Sequence, residues 1–252
     1  RGNYAVALEH VGDALAKLKR FDEAIRYHRQ RAGLAETIAS DAPGDLSARH
    51  GLAMAYMKLG VVYKQRVDAQ KDDNVELDAT DLGKARDLFR QSLARFDALA
   101  AGEPGNTRFL HDLGVVLEKL GDVSALSGND HDVLICYKRL IDIREEAAKH
   151  DPNDPQARKN LAIAYFGRGD AEKVLGDLPG RPTDERVRHW RGAIAWCQKA
   201  ADAMEAMRRD RLPGSDDPEF DAELKEWISR CESSIKAADA GAAKLGARTP
   251  EK

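Results

Sequence analysis

Apolar residues recur along this chain in stripes of helical period, and polar turns interrupt them at regular places. Leu52, Tyr56, Leu59 and Tyr63 follow an i, i+4, i+7, i+11 spacing, which puts them on one face of a helix. Tyr4, Leu8, Val11 and Leu15 form the same stripe upstream, and Leu113, Leu117, Leu120 and Ser124 form it downstream. A fourth copy starts with Leu161 and Tyr165 but turns polar at Arg168 and Glu172, which makes its helix the weakest of the four. A second helical stretch follows each stripe, over Phe21–Ala39, Asp81–Ala100, His131–Lys149 and Arg188–Arg209.

Glycines and prolines mark the same rhythm. Gly12, Gly60, Gly121 and Gly169 lie inside the first helix of each pair, and Pro43, Pro104, Pro152 and Pro213 follow the second. Glycine to proline takes 31, 44, 31 and 44 residues, whereas proline to the next glycine always takes 17. A fixed period of this kind predicts stacked units, none large enough to bury its apolar face alone. An interior glycine costs a helix about 1 kcal/mol against alanine, so its recurrence implies a close approach between helices. The prolines sit just past helix ends, and Asp45, Asn106, Asp154 and Ser215 are placed to cap the helices that follow. Each long interval contains 13 extra residues, "VDAQKDDNVELDA" and "LGDLPGRPTDERV", expected as polar loops between first and second helices.

The expected organisation is a single repeat domain over 1–240, with units at 1–43, 44–104, 105–152 and 153–213. A capping helix over 216–240 carries Phe220, Leu224, Trp227, Ile228 and Ile235 on its apolar side, and 241–252 reads as a disordered tail.

Composition narrows the picture. Helix formers dominate and strand-like runs of valine, isoleucine and threonine are absent, so the fold class is all-α. Forty basic residues against 43 acidic ones give a net charge of −3, which argues against a nucleic-acid partner. Cys136, Cys197 and Cys231 stand singly, as expected of reduced thiols in a cytoplasmic setting. No apolar run reaches the roughly 18 residues of a membrane span, so no membrane partner is expected. The chain opens on Arg1 without an initiator methionine, which reads as a piece of a longer protein.

These features resemble the tetratricopeptide repeat (TPR), whose pattern of W-x2-L-G-x2-Y, A-x3-F and P spans about 34 residues. Leu8, Val11, Gly12, Leu15, Ala24 and Pro43 match it in the first unit, and Tyr56, Leu59, Gly60, Tyr63, Ala85, Phe89 and Pro104 in the second. Leu117, Leu120, Gly121, Ser124, Val133, Tyr137 and Pro152 follow in the third, then Tyr165, Gly169, Ile194 and Pro213 in the fourth, where Arg168 departs from the expected leucine. The short unit here is 48 residues, with seven extra on either side of the glycine, or two helical turns in each helix. "CYKRLIDIREEAAKHDPNDPQARKNLAIAY" looks like the long-unit arrays of bacterial signalling proteins, which often follow a serine/threonine kinase domain.

The resemblance implies a right-handed solenoid whose first helices line a groove for a peptide or a partner helix. Its groove positions fall on Glu9, Asp13, Lys17, Met57, Val61, Lys64, Glu118, Asp122, Phe166, Asp170 and Lys173. Their carboxylates would favour a basic or helical partner. The chaperone-type carboxylate clamp is absent, because its positions hold Glu9, Asp13, Met57 and Val61. Alternative partners are another domain of the same parent chain, which this module would regulate, or a second copy joined through an open end.

Nothing points to catalysis, a cofactor or a metal. No two of the seven histidines stand at i, i+4 spacing, and "GNDHD" at 128–132 reads as a turn and helix cap. Cys136 and Cys197 read as packing residues, and so do Trp190, Trp196 and Trp227. "GRPTDERVRHWR" reads as a loop entering a helix, its arginines offset by Asp184 and Glu185.

Overall fold

The computed structural model describes residues 2–72 and 78–246. Among these the chain forms nine helices: α1 (Gly2–Lys17), α2 (Phe21–Asp41), α3 (Leu46–Asp72), α4 (Ala79–Gly102), α5 (Thr107–Leu126), α6 (Asp130–His150), α7 (Pro155–Asp177), α8 (Thr183–Arg209) and α9 (Pro218–Gly246). They fall into two compact units, Arg1–Ser127 with α1 to α5 and Gly128–Lys252 with α6 to α9. Within each unit every helix packs on the next along the chain. Alternate helices also meet, α3 with α5 and α7 with α9.

The four prolines sit in one local structure. The amides of Asp45, Asn106, Asp154 and Ser215 donate to the carbonyls of Ala42, Glu103, Asp151 and Leu212, closing four-residue turns with proline second. In the first three turns the closing residue is also the helix cap. Asp45 accepts from the amides of Ser47 and Ala48, Asn106 from Phe109, and Asp154 from Gln156 and Ala157. Turn and cap therefore share a residue, so the cap stands two positions after proline and the helix starts at the third, and this locks the 17-residue step.

Ser215 does not cap. It is buried, and Asp217 caps α9 instead by accepting from the Phe220 amide at 3.0 Å. Gly214 has φ +75, so this turn is of a different type and the helix begins later.

The glycines lie where helices touch. A methyl group on Gly60 would come 2.8 Å from the buried Phe89 ring, and one on Gly12 would come 2.6 Å from the His28 ring. At Gly169 the obstacles are Cys197 Sγ at 2.9 Å and the Ala193 carbonyl at 3.1 Å. Gly121 is buried. Bulk on the second helix thus fills the space that glycine leaves on the first.

The inserted segments are mostly helix rather than loop. Val67 to Asp72 continue α3 and Asp78 already caps α4, while 73–77 lie outside the described residues. In the other insertion α7 runs to Asp177 and α8 starts at Thr183. Asp177 and Thr183 bracket all that remains of an irregular connection.

The apolar stripes form the core with two departures. Leu8 and Leu15 are buried, but Tyr4 and Val11 stay exposed, α2 being the helix on which α1 mainly packs. In the fourth stripe Arg168 is buried and pairs with Glu172 at 2.5 Å. Glu172 in turn accepts from His189 Nδ1 at 2.6 Å, so Glu172 serves both side chains, although one Arg168 guanidinium nitrogen is left without a hydrogen bond among the described residues. Helix α9 runs on to Gly246, past the boundary expected at 240; residues 247–252 lie outside the described part.

Candidate functional site

The groove positions on α1, α3 and α5 belong to charge clusters rather than to a free acidic run. Glu9 and Asp13, one helical turn apart on α1, both reach Lys58 on α3, at 3.5 and 2.9 Å. Glu9 also binds Arg31 at 2.8 Å, and Asp13 faces His28 Nε2 at 3.3 Å. Lys64 pairs with Asp68 at 2.8 Å. On α5, Glu118 and Asp122 share Lys119, at 2.7 and 3.9 Å. Pairing lowers the negative field that these carboxylates present, because each lies within about 4 Å of a cation. Lys17 is exposed, Val61 is half-buried and Met57 is buried in the core, where it forms no part of an exposed wall.

In the second unit the chain covers these positions with its own last helix. Phe166 stacks on Trp227 with ring centroids 6.5 Å apart and meets Phe220 edge-on at 5.5 Å. Lys173 places its ammonium 4.8 Å from the Trp227 ring and pairs with Asp177 at 2.5 Å. Asp170 is half-buried on the same helix. Helix α9 must bury Leu224, Phe220 and Trp227, and α7 and α8 offer the apolar surface to do it. Phe166 and Lys173 therefore serve the cap.

Other expected packing roles match the structure. Cys136, Cys197 and Cys231 are buried and form no disulfide, and burial raises the Cys197 thiol to about 12 and that of Cys231 to about 11. Such thiols stay protonated at neutral pH and are poor nucleophiles. Trp190 is buried with its indole donating to Asp177 at 2.8 Å. Asn129 caps α6 within "GNDHD". Asp130 beside it is held well below the usual carboxylate range, first by the Arg181 hydrogen bond and also by His189. Arg181 also donates to the Gly128 carbonyl at 3.0 Å, so this loop arginine serves the fold. Among the described residues no group of three or more histidine, cysteine, aspartate or glutamate side chains is arranged to hold a metal.

Sequence reasoning missed two features. Tyr56 on α3 donates to Glu36 at 2.5 Å, and Tyr165 on α7 donates to Glu145 at 2.9 Å, each acceptor 20 residues upstream. Burial, aided by Glu145, raises the Tyr165 hydroxyl to about 12. The second is a cationic cleft beside Tyr63 with Arg29, Arg66 and Lys84 along its walls. Its parts come from α2, α3 and α4, so no local spacing could reveal it.

No family model matches the chain, and no curated protein matches it. Solved structures do. The yeast histone chaperone Hif1, described as a scaffold protein recruiting protein complexes to core histones, is 14% identical with a TM-score of 0.50, covering 93% of this chain and 94% of its own. The MamA RS-1 ArsTM double mutant is 15% identical over 93% and 97% of the two chains at a TM-score of 0.33. The de novo designed helical repeat protein DHR64 is 14% identical over 98% and 94% at 0.27. The chain has an all-α helical-repeat fold of the TPR kind. Among the described residues no helix is long and apolar enough to cross a membrane.

Proposed function

We propose that this chain is a protein-interaction module that holds a peptide or helix of another protein and makes or breaks no bond. The observation that supports this best is the set of part-exposed ion pairs on the first helices of the first unit, Glu9 and Asp13 with Lys58, and Glu118 and Asp122 with Lys119. Such side chains can exchange partners at little cost, because exposed pairs are worth about 0.2–1 kcal/mol. A basic segment can take the carboxylates from the lysines, and Lys17, Val61 and Lys64 lie on the same two helices. The likeness to a scaffold such as Hif1 supports the fold on which this reading stands. A bacterial signalling role, a cytoplasmic setting and control of an attached kinase rest on the sequence resemblance and the sparse, singly placed cysteines.

The test compares proteins captured from a bacterial lysate by the chain and by its Glu118→Lys/Asp122→Lys variant, with helicity of both checked by circular dichroism. A protein that crosslinks to α5 in the first and is lost in the second supports the reading. Equal capture by both overturns it for this surface.

Self-association has its own support in the exposed Tyr4, Val6 and Val11 of α1 and Leu18 just after it. Light scattering should then give a mass that rises with concentration, and a Tyr4→Ser/Val6→Ser variant should remain monomeric.

A further inference from the structure

A cleft of about 430 Å³ opens against the start of α2, between that helix and the α3–α4 pair. Asp22 in the first turn of α2 reaches Arg66, and α3 continues beyond Arg66 to Asp72, so the lengthened pair supplies one wall. Tyr63 lies at the centre. Arg29 donates to its hydroxyl, and Arg29, Arg66 and Lys84 carry their charges 5.9, 5.5 and 5.4 Å from its ring centroid.

These cations are unequally satisfied. Arg66 binds Asp81 at 2.5 Å, and the Asp81 side chain is only 2% exposed, so this pair is structural. The second partner of Arg66 is Asp22 at 2.6 Å, whose side chain is 94% exposed. Arg29 has no carboxylate partner among the described residues. Arg26, also lining the cleft, has Glu23 at 3.9 Å, and Lys84 shares Asp81 at 3.4 Å. Arg26, Arg29, Arg66 and Lys84 of the lining outnumber its one carboxylate, Asp22, and even with the buried Asp81 that Arg66 and Lys84 also bind the cations are in excess, although the chain as a whole carries −3. A local field opposite in sign to the net charge selects anions.

We propose that this cleft docks an acidic peptide segment of a protein partner, whose aspartate or glutamate carboxylates pair with Arg29 and Lys84 and displace Asp22 from Arg66. Carboxylates fit better than a single phosphate because the cations stand in two rows, on α2 and on the α3–α4 pair, rather than around one point. Asp22 shows that the guanidinium of Arg66 already donates to a carboxylate on its solvent side. The inference relies on the chain being a protein-binding module but not on the α1–α5 clusters, whose side chains are different ones.

Fluorescence anisotropy of a labelled hexaglutamate peptide, titrated with the full chain at about 50 mM salt, tests it. Arg29→Glu should weaken binding at least about tenfold, a loss of at least about 1.4 kcal/mol. Lys84→Glu, which leaves the Arg29–Tyr63 contact in place, should weaken it similarly. Arg191→Glu makes the same change of charge on α8 and should leave affinity within about twofold. Asp22→Asn should bind about two- to fivefold tighter, because an internal competitor is gone. Absence of hexaglutamate binding up to about 1 mM overturns the proposal. So does equal weakening by Arg29→Glu and Arg191→Glu, unchanged affinity in Asp22→Asn, or binding of a phosphoserine peptide but not of hexaglutamate. Circular dichroism of each variant separates lost binding from lost fold, and the Glu118→Lys/Asp122→Lys capture experiment reports on the other surface alone.

Discussion

Lys19 and Arg211 hold a backbone conformation that side chains disfavour, with φ of 57 and 54. Each ends a helix in the same way. The Arg20 amide donates to Leu15 and Lys19 to Ala16, and the Leu212 amide donates to Met207 and Arg211 to Arg208, so both residues stand where glycine is usual. Both are exposed, so no packing opposes a change. Lys19→Gly and Arg211→Gly should each raise stability by about 1 kcal/mol in urea unfolding. His28 offers a second case. Burial lowers its pKa from 6.5, the nearby Asp13 opposing this only in part, and its ring fills the space beside Gly12. The unfolded chain therefore binds the proton more readily than the folded one, and acidification favours unfolding. Stability from this group is complete above about pH 6.5 and falls as pH drops from there through the folded value. The difference in unfolding midpoint between His28→Phe and the parent chain should widen in the variant's favour from pH 7.5 to pH 5.

At the scale of the helix, two kinds of glycine give opposite expectations. Gly33 in α2 has nothing within 4 Å of an added methyl, whereas Gly60 in α3 faces the buried Phe89 ring at 2.8 Å. Gly33→Ala should stabilise by about 1 kcal/mol through helix propensity. Gly60→Ala should destabilise by about 1–3 kcal/mol through overpacking, both changes being read in urea unfolding. The sequence carried this much plainly: glycine and proline spacing located every helix pair, and three of four caps. Ser215 misled because its turn takes a different conformation, which one residue's identity does not specify. The insertions misled because polar composition fits an exposed helix as well as a loop. Groove positions were legible as positions on a helix, but not as surfaces. Ion pairs such as Glu9 with Lys58 link residues 49 positions apart, and Phe166 is claimed by α9, so both depend on tertiary neighbours.

At the scale of the whole chain, function is expected to follow charge placement rather than net charge. A body at −3 that carries a cationic cleft on α2, α3 and α4 should attract acidic segments only at short range. Raising salt from about 50 to 500 mM should remove most hexaglutamate binding while leaving the helical signal unchanged. Deleting 67–79 should place Leu82 where Phe21 stands relative to the preceding glycine. The shortened chain should keep its helical circular dichroism and lose the cleft's peptide binding.

The turns at Pro43, Pro104 and Pro152 fix where a first helix begins, while its end and the start of its partner use different devices from one pair to the next, with Lys19 ending α1 and Asp78 and Asn129 capping α4 and α6. Growth is thus permitted on one side of each helix pair and forbidden on the other. Residues added in whole turns between glycine and proline extend a surface outward without disturbing the contacts of its glycine. The same number inserted just after proline would instead disturb pairs that bridge the turn, Tyr56 with Glu36 and Tyr165 with Glu145. For lineages and for engineers alike, novelty in such a chain has one open door, and the two insertions have already gone through it.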